Sequence, residues 1–167
     1  MKNEAKFSDE IRHTIFARGY WTYKIPDDKR GKKPFDRICD IDGNSLALEL
    51  KASDGNSFSL YKLQHKQNHQ IAEMNARKYS FFIINYKYTK KDGDEINIAA
   101  VLSAMQIKYA VEHMTSIKLF LPDGRIGFRN IYTLSKGLWQ IPFKELILEK
   151  TKKEMVHERL TNIYQAG

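Results

Sequence analysis

The 167-residue chain predicts an α/β fold, a central mixed β-sheet flanked by helices. Three observations point there. Asp42-Gly43 sits between two alternating runs and forms a strong two-residue hairpin loop, because Gly tolerates the positive φ that such a turn needs. Ser80-Phe81-Phe82-Ile83-Ile84-Asn85-Tyr86 is nearly continuous apolar sequence, as in a central strand covered on both faces. Stretches with apolar residues at helical spacing precede the hairpin and separate it from that strand.

Taken in order, Phe7, Ile11 and Ile15 recur at four-residue spacing with Phe16 beside them. Ser8-Asp9-Glu10 supplies a cap and first-turn acids, and Gly19 stops the pattern, so a short helix is expected there. A strand over Tyr20 to Ile25 follows, then the basic segment from Lys24 to Pro34, and then the hairpin from Phe35 to Lys51. Ala52 to Ser57 reads as a polar loop. Leu60, Leu63, Ile71 and Met74 mark the buried stripe of a helix from about Ser59 to Arg77, with Gln67 in the middle of the stripe. Past the apolar strand come a charged turn with Asp92-Gly93, a strand over Ile96 to Leu102, and a helix over Ser103 to His113. Ile117 to Leu121 and Ile126 to Leu134 flank the Pro122-Asp123-Gly124 turn as peripheral strands. Trp139, Ile141 and Phe143 anchor the entry to a last helix with Pro142 near its first turn. In the charged tail from Thr151, Met155, Leu160 and Ile163 are too sparse to mark a buried face.

Composition narrows the function. One chain of this length makes a single well-buried domain. The net charge of +8 points to a polyanionic partner such as nucleic acid. No apolar run approaches the roughly 20 residues that span a bilayer, and Met1-Lys2-Asn3-Glu4 has no signal-peptide pattern, so no membrane role is expected. A single cysteine, Cys39, allows neither an intrachain disulfide nor a cysteine-based zinc site, and a reducing cytoplasm is the expected location.

The hairpin carries the chemistry. A two-residue loop at Asp42-Gly43 sets Ile41 opposite Asn44, Ile38 opposite Ala47 and Asp36 opposite Glu49. Such neighbours lie roughly 5 Å apart at Cβ on one side of the sheet, and alternation puts Lys51 on that side too. Phe35, Cys39 and Ile41 face the other side with Leu46, Leu48 and Leu50. Arg37 breaks that apolar face, so a bulge or an early strand end near Asp36 is expected. Facing carboxylates repel unless a cation or a proton lies between them. Mg²⁺, with Mn²⁺ as a substitute, fits one or two carboxylates plus waters and phosphate oxygens. A solvated face of alternating charges has the same spacing. Glu10 suits either a site or the helix dipole, and a buried Gln67 needs a partner in a core or in a site. The run containing Lys24, Lys29, Arg30, Lys32 and Lys33 adjoins the carboxylates and suits DNA backbone contact, and Lys62 and Lys66 decorate the exposed side of the helix.

The order helix, strand, hairpin with Asp, Glu and Lys, helix, buried strand resembles the PD-(D/E)XK nuclease superfamily. Pro34-Phe35-Asp36 followed by Glu49-Leu50-Lys51 matches its signature, and the step of 13 residues from Asp36 to Glu49 is that of its resolvases. The first half is similar to archaeal-type Holliday junction resolvases, with Glu10 at the position of their N-terminal-helix Glu. Phe58 to Leu63, Lys66-Gln67 and the strand at Phe81 to Tyr86 are similar to the RecU resolvases, which have His where Lys66 stands. Residues 7–86 carry the resemblance well, and the rest, including Trp139 to Phe143, loosely. The prolines and basic residues of Lys24 to Lys33 replace a serine-containing loop of the archaeal type, and the segment is far shorter than the RecU stalk.

The resemblance implies a restriction-endonuclease-like core and Mg²⁺-dependent symmetric nicking of four-way DNA junctions by a homodimer. In that reading Asp36 and Glu49 bind the metal, helped by the Leu50 carbonyl. Glu10 orients a metal-bound water or a second metal. Lys51 stabilises the transition state or positions the attacking water, and Gln67 positions Lys51 or a phosphate. Lys24, Lys29, Arg30, Lys32, Lys33, Lys62 and Lys66 contact DNA. A restriction- or repair-type nuclease of the same fold, or a non-catalytic DNA-binding module on it, are the alternatives.

Overall fold

Helix α1 (Lys2–Ala17) leads to strand β1 (Trp21–Lys24), and β2 (Arg37–Ile41) and β3 (Asn44–Ser53) form the hairpin. Strand β4 (Ser57–Ser59), α2 (Tyr61–His65), α3 (Asn68–Asn75) and β5 (Tyr79–Thr89) follow. Then come β6 (Glu95–Ser103), α4 (Ala104–His113), β7 (Ser116–Lys118), β8 (Ile131–Ser135) and β9 (Leu138–Trp139). Among the described residues a further helix, α5, covers 143–151. The computed structural model describes residues 2–27 and 32–151, so Lys29, Arg30 and the tail with Met155, Leu160 and Ile163 lie outside the described residues.

Among the described residues seven strands make one sheet in the order β1-β2-β3-β5-β6-β8-β9. β3 and β5 run parallel while the other neighbours are antiparallel, so the sheet is mixed. A parallel pair needs a long crossover, and β4-α2-α3 supplies it. The hairpin has the expected register, with Ile38 opposite Ala47 and Ile41 opposite Asn44. Asp42 and Gly43 both have positive φ, 53° and 83°, as a turn matching the strand twist requires. The Gly43 N–H donates to Asp40 Oδ1 across it.

The sheet is covered on both faces. Phe7, Ile11 and Ile15 of α1 pack with Cys39, Leu46, Leu48, Leu50, Phe81, Ile83 and Trp139 on one. Leu60, Leu63, Ile71 and Met74 of the crossover pack with Ala47, Phe82, Ile84 and Tyr86 on the other. β5 contributes to both, as its continuous apolar run predicts. The Arg18 guanidinium donates to the Ile141 and Trp139 carbonyls, tying the end of α1 to the chain entering α5.

The structure corrects several expectations. α1 starts at Lys2, so Ser8-Asp9-Glu10 lies mid-helix and is not its cap. β2 starts at Arg37, the expected early strand end, but Phe35 turns away from Cys39 and joins the opposite core. Arg37 stays on the Cys39 side, buried, with Nε donating to Thr22 Oγ1. β3 continues to Ser53, shortening the predicted loop. The predicted helix over 59–77 is two helices, because Gln67 takes a non-helical backbone (φ −124°, ψ 21°) between α2 and α3. β7 pairs with β4 in a separate two-stranded sheet, and β8 starts only at Ile131, with a single bridge between Phe120 and Ile126 before it. Peripheral strands lack strong periodicity, so their partners decide where they begin.

Burial differs sharply between two apolar residues. Phe82→Ala, in the middle of β5, should cost about 3–5 kcal/mol in urea unfolding, whereas Phe16→Ala, on the exposed side of α1, should stay within about 0.5 kcal/mol.

Candidate functional site

The register that pairs Ile38 with Ala47 carries Asp36 beside Glu49 at the open end of the hairpin. The Asp36 N–H donates to the Leu48 carbonyl (3.1 Å), and Asp36 Oδ2 accepts from the Leu50 N–H (2.8 Å). Alternation turns Glu49 and Lys51 toward the crossover helices, not toward α1. There Glu49 is only 1% exposed.

The Glu49 side chain hydrogen-bonds Asp36, and its Oε2 has no hydrogen-bond partner. Lys51 Nζ lies 3.9 Å from that Oε2 and donates to Gln67 Oε1 at 2.7 Å. The break between α2 and α3 is what brings Gln67 there: as the residue before α3 it leaves the helical stripe and reaches β3. Lys33 Nζ bridges Asp36 Oδ1 and Asp27 Oδ1, each at 3.0 Å.

A buried carboxyl, Glu49, in contact with a half-buried one, Asp36, moves the two pKa values in opposite directions. Burial pushes the Glu49 carboxyl well above the usual range, and the hydrogen bond and charge of Asp36 push it further, against Lys51 and Lys33. Burial also raises the Asp36 carboxyl, but the bonds from Glu49, the Leu50 N–H and Lys33 outweigh it and hold that group low. Of the two, Glu49 is therefore the carboxyl that holds a proton more tightly than usual, and Asp36 the one that is ionised more readily. Burial works against the charge of Lys33, and its bonds to Asp27 and Asp36 overcome that, so its pKa is raised.

This pair fits a divalent cation. A buried carboxyl oxygen with no hydrogen-bond partner, next to a second carboxylate, offers hard oxygen donors that Mg²⁺ accepts alongside waters and phosphate. The N–H and C=O of one strand residue project to the same edge, so the Leu50 carbonyl faces the edge where Asp36 sits. Among the described residues no group of three or more His, Cys, Asp or Glu side chains is placed to hold a metal. Glu10, on a helix that packs against the opposite sheet face, is not brought into a group with Asp36 and Glu49.

Of the predicted DNA-contacting residues, Lys24, Lys32, Lys62 and Lys66 are exposed. Lys33 is not a free surface cation, because Asp27 and Asp36 hold it against the carboxylates. Its spacing three residues before Asp36 was the available signal. Outside the candidate residues, His69 Nε2 lies 3.1 Å from the Lys33 carbonyl, and Gln70 beside it is buried. A cavity of about 870 Å³ lies elsewhere, lined by Phe81, Leu102, Met105, Tyr109, Phe128 and Leu146 among others.

No protein-family model matches the chain, and no curated protein matches it. No helix among the described residues is long and apolar enough to cross a membrane.

The protonation pattern fixes a pH dependence. Glu49 binds its proton more tightly folded than unfolded, so without divalent cation its contribution is complete below about pH 4.5 and is lost as pH rises. Asp36 has the opposite sign and loses its contribution as pH falls through its lowered folded value. Urea midpoints taken in EDTA from about pH 5 to about pH 8 should therefore decline for the wild type and flatten in Glu49→Gln. Parallel declines would assign the dependence to another group.

Proposed function

We propose that this chain is a metal-dependent DNA endonuclease with a PD-(D/E)XK-type core, acting on four-way junctions by paired nicks. The observation that carries the reading is the cluster on one sheet face: paired Asp36 and Glu49, with Lys51 beside them and held by Gln67. A solvated face of alternating charges does not bury a carboxylate this deeply or give its neighbouring lysine a side-chain partner.

Each residue follows from its contacts. Asp36 and Glu49, with the Leu50 carbonyl, would hold Mg²⁺ or Mn²⁺, and a bound cation would favour the ionised form of Glu49. The metal, when bound, neutralises phosphate charge and lowers the pKa of water. Lys51 reaches toward the carboxylates from the same strand, where its Nζ meets the phosphate or orients the attacking water. Gln67 positions Lys51 through the 2.7 Å bond. Lys33 neutralises Asp36 from the solvent side, a positioning role. Glu10 has no part in this arrangement.

The net charge of +8 and the exposed Lys24, Lys32, Lys62 and Lys66 supply sequence-independent attraction to DNA phosphates. Two symmetric cuts need two sites, so the working form is a homodimer, with the cytoplasm as its setting. Purified protein incubated with a labelled four-way junction and matching linear duplex, in Mg²⁺ or EDTA, tests the function. Paired nicks confined to the junction and abolished by EDTA are expected. Cutting of both substrates would make it a general nuclease, and binding without cutting under any metal would remove the catalytic reading.

Glu49→Ala should lower cleavage by at least about 10³-fold with junction affinity largely kept, because other residues supply the phosphate contacts. Loss of binding as well would give Glu49 a folding role. Replacing Lys24, Lys32, Lys62 and Lys66 together by Gln should flatten the plot of log affinity against log salt by up to about 0.9 per lost phosphate contact. An unchanged slope would remove these lysines from the interface.

A further inference from the structure

β1 is the outer strand of the sheet, and its two aromatic residues lie on the same face as the carboxylates. Trp21 pairs with Asp40 and Tyr23 with Ile38, while Thr22, between them, turns to the opposite face and is buried. Trp21 and Tyr23 are each 51% exposed, although Phe82 and Tyr86 on the same side of the sheet are fully covered. Their rings are parallel within 2°, with centroids 6.1 Å apart. Large parallel aromatic surfaces left open on an edge strand are a liability unless something covers them.

The register ties this surface to the site. Ile25 extends the β1–β2 pairing, its N–H donating to the Asp36 carbonyl at 2.8 Å. Tyr23 is therefore a diagonal neighbour of Asp36, roughly 7–8 Å away between Cα or Cβ positions. Exposed Lys24 follows directly, and the Asp40 carboxylate is turned onto the Gly43 N–H. A phosphate held at Asp36 and Glu49 would bring the attached or adjacent base to these rings.

Resting on the nuclease reading above, we infer that Trp21 and Tyr23 are a stacking platform for an unpaired nucleobase next to the cleaved phosphate. A base inside intact duplex is already stacked on both sides and cannot lie on a side-chain ring. The platform therefore favours DNA whose bases are open at that point, as at a branch, an end or a single-stranded stretch. Stacking on aromatic rings tolerates any base, so the preference is for structure and not for sequence.

The chain carries its own reporter, because its two tryptophans are Trp21 and fully buried Trp139. Protein in EDTA is titrated with a short oligothymidylate and, separately, with a blunt duplex of equal length, and tryptophan emission and affinity are read. The single strand should quench emission and the duplex should not. Trp21→Phe should keep single-strand affinity within about twofold while losing the quench, because Phe also offers a ring. Trp21→Ala and Tyr23→Ala should each weaken single-strand binding about 5- to 10-fold and leave duplex binding unchanged. Duplex binding with no quench by the single strand and no effect of either alanine would overturn the platform and leave the nuclease reading standing. An emission change that follows protein concentration without DNA would make the surface a contact between copies and overturn it too. Failure to bind either DNA would overturn both readings.

Discussion

Asp36 and Glu49 repel when both are ionised, and the end of the β2–β3 hairpin holds them side by side. The rest of the site answers that constraint. The raised pKa of Glu49 favours its neutral form, while Lys33 and the Leu50 N–H favour the ionised form of Asp36. Lys51 approaches from the same strand and is itself held by Gln67. A buried carboxyl whose pKa is raised by its neighbour responds strongly to any cation placed beside it, since positive charge favours the ionised form.

Burial makes this arrangement strong, and the sheet topology makes the burial. β3 has β2 on one side and parallel β5 on the other, so Glu49 sits in the interior of the sheet and not at its rim. The crossover that the parallel pairing requires then lays α2 and α3 over the same face. Continuing one helix through Lys66 and Gln67 would have kept Gln67 in the stripe between Leu63 and Ile71. Interrupting it places Gln67 to accept a side-chain bond from the lysine of the site. The same compromise appears at Arg37, where a buried guanidinium is tolerated on an apolar face because Thr22 accepts from it.

Some of this was decided within short stretches of chain. Asp42-Gly43 sets a two-residue loop, and a two-residue loop sets every pairing along the hairpin, so the Asp36, Glu49 and Lys51 face follows from residues close in sequence. The four-residue spacing of Phe7, Ile11 and Ile15 and the unbroken apolar run of β5 likewise state how they are covered, because periodicity records burial directly.

What only the tertiary structure decided depends on partners far away in the chain. Phe35 left its expected face because the other core takes its side chain, and Gln67 left its helix because Lys51 lies within reach. Lys33 turned inward onto Asp36, β7 chose β4 over the main sheet, and Trp21 and Tyr23 stayed open because the sheet ends at β1. Sequence by itself determined the hairpin, its carboxylates and the covered central strand, since turn geometry and alternation act over a few residues. The helix break, the raised pKa of Glu49 and the exposed aromatic edge came from contacts and burial, which exist only once distant segments meet.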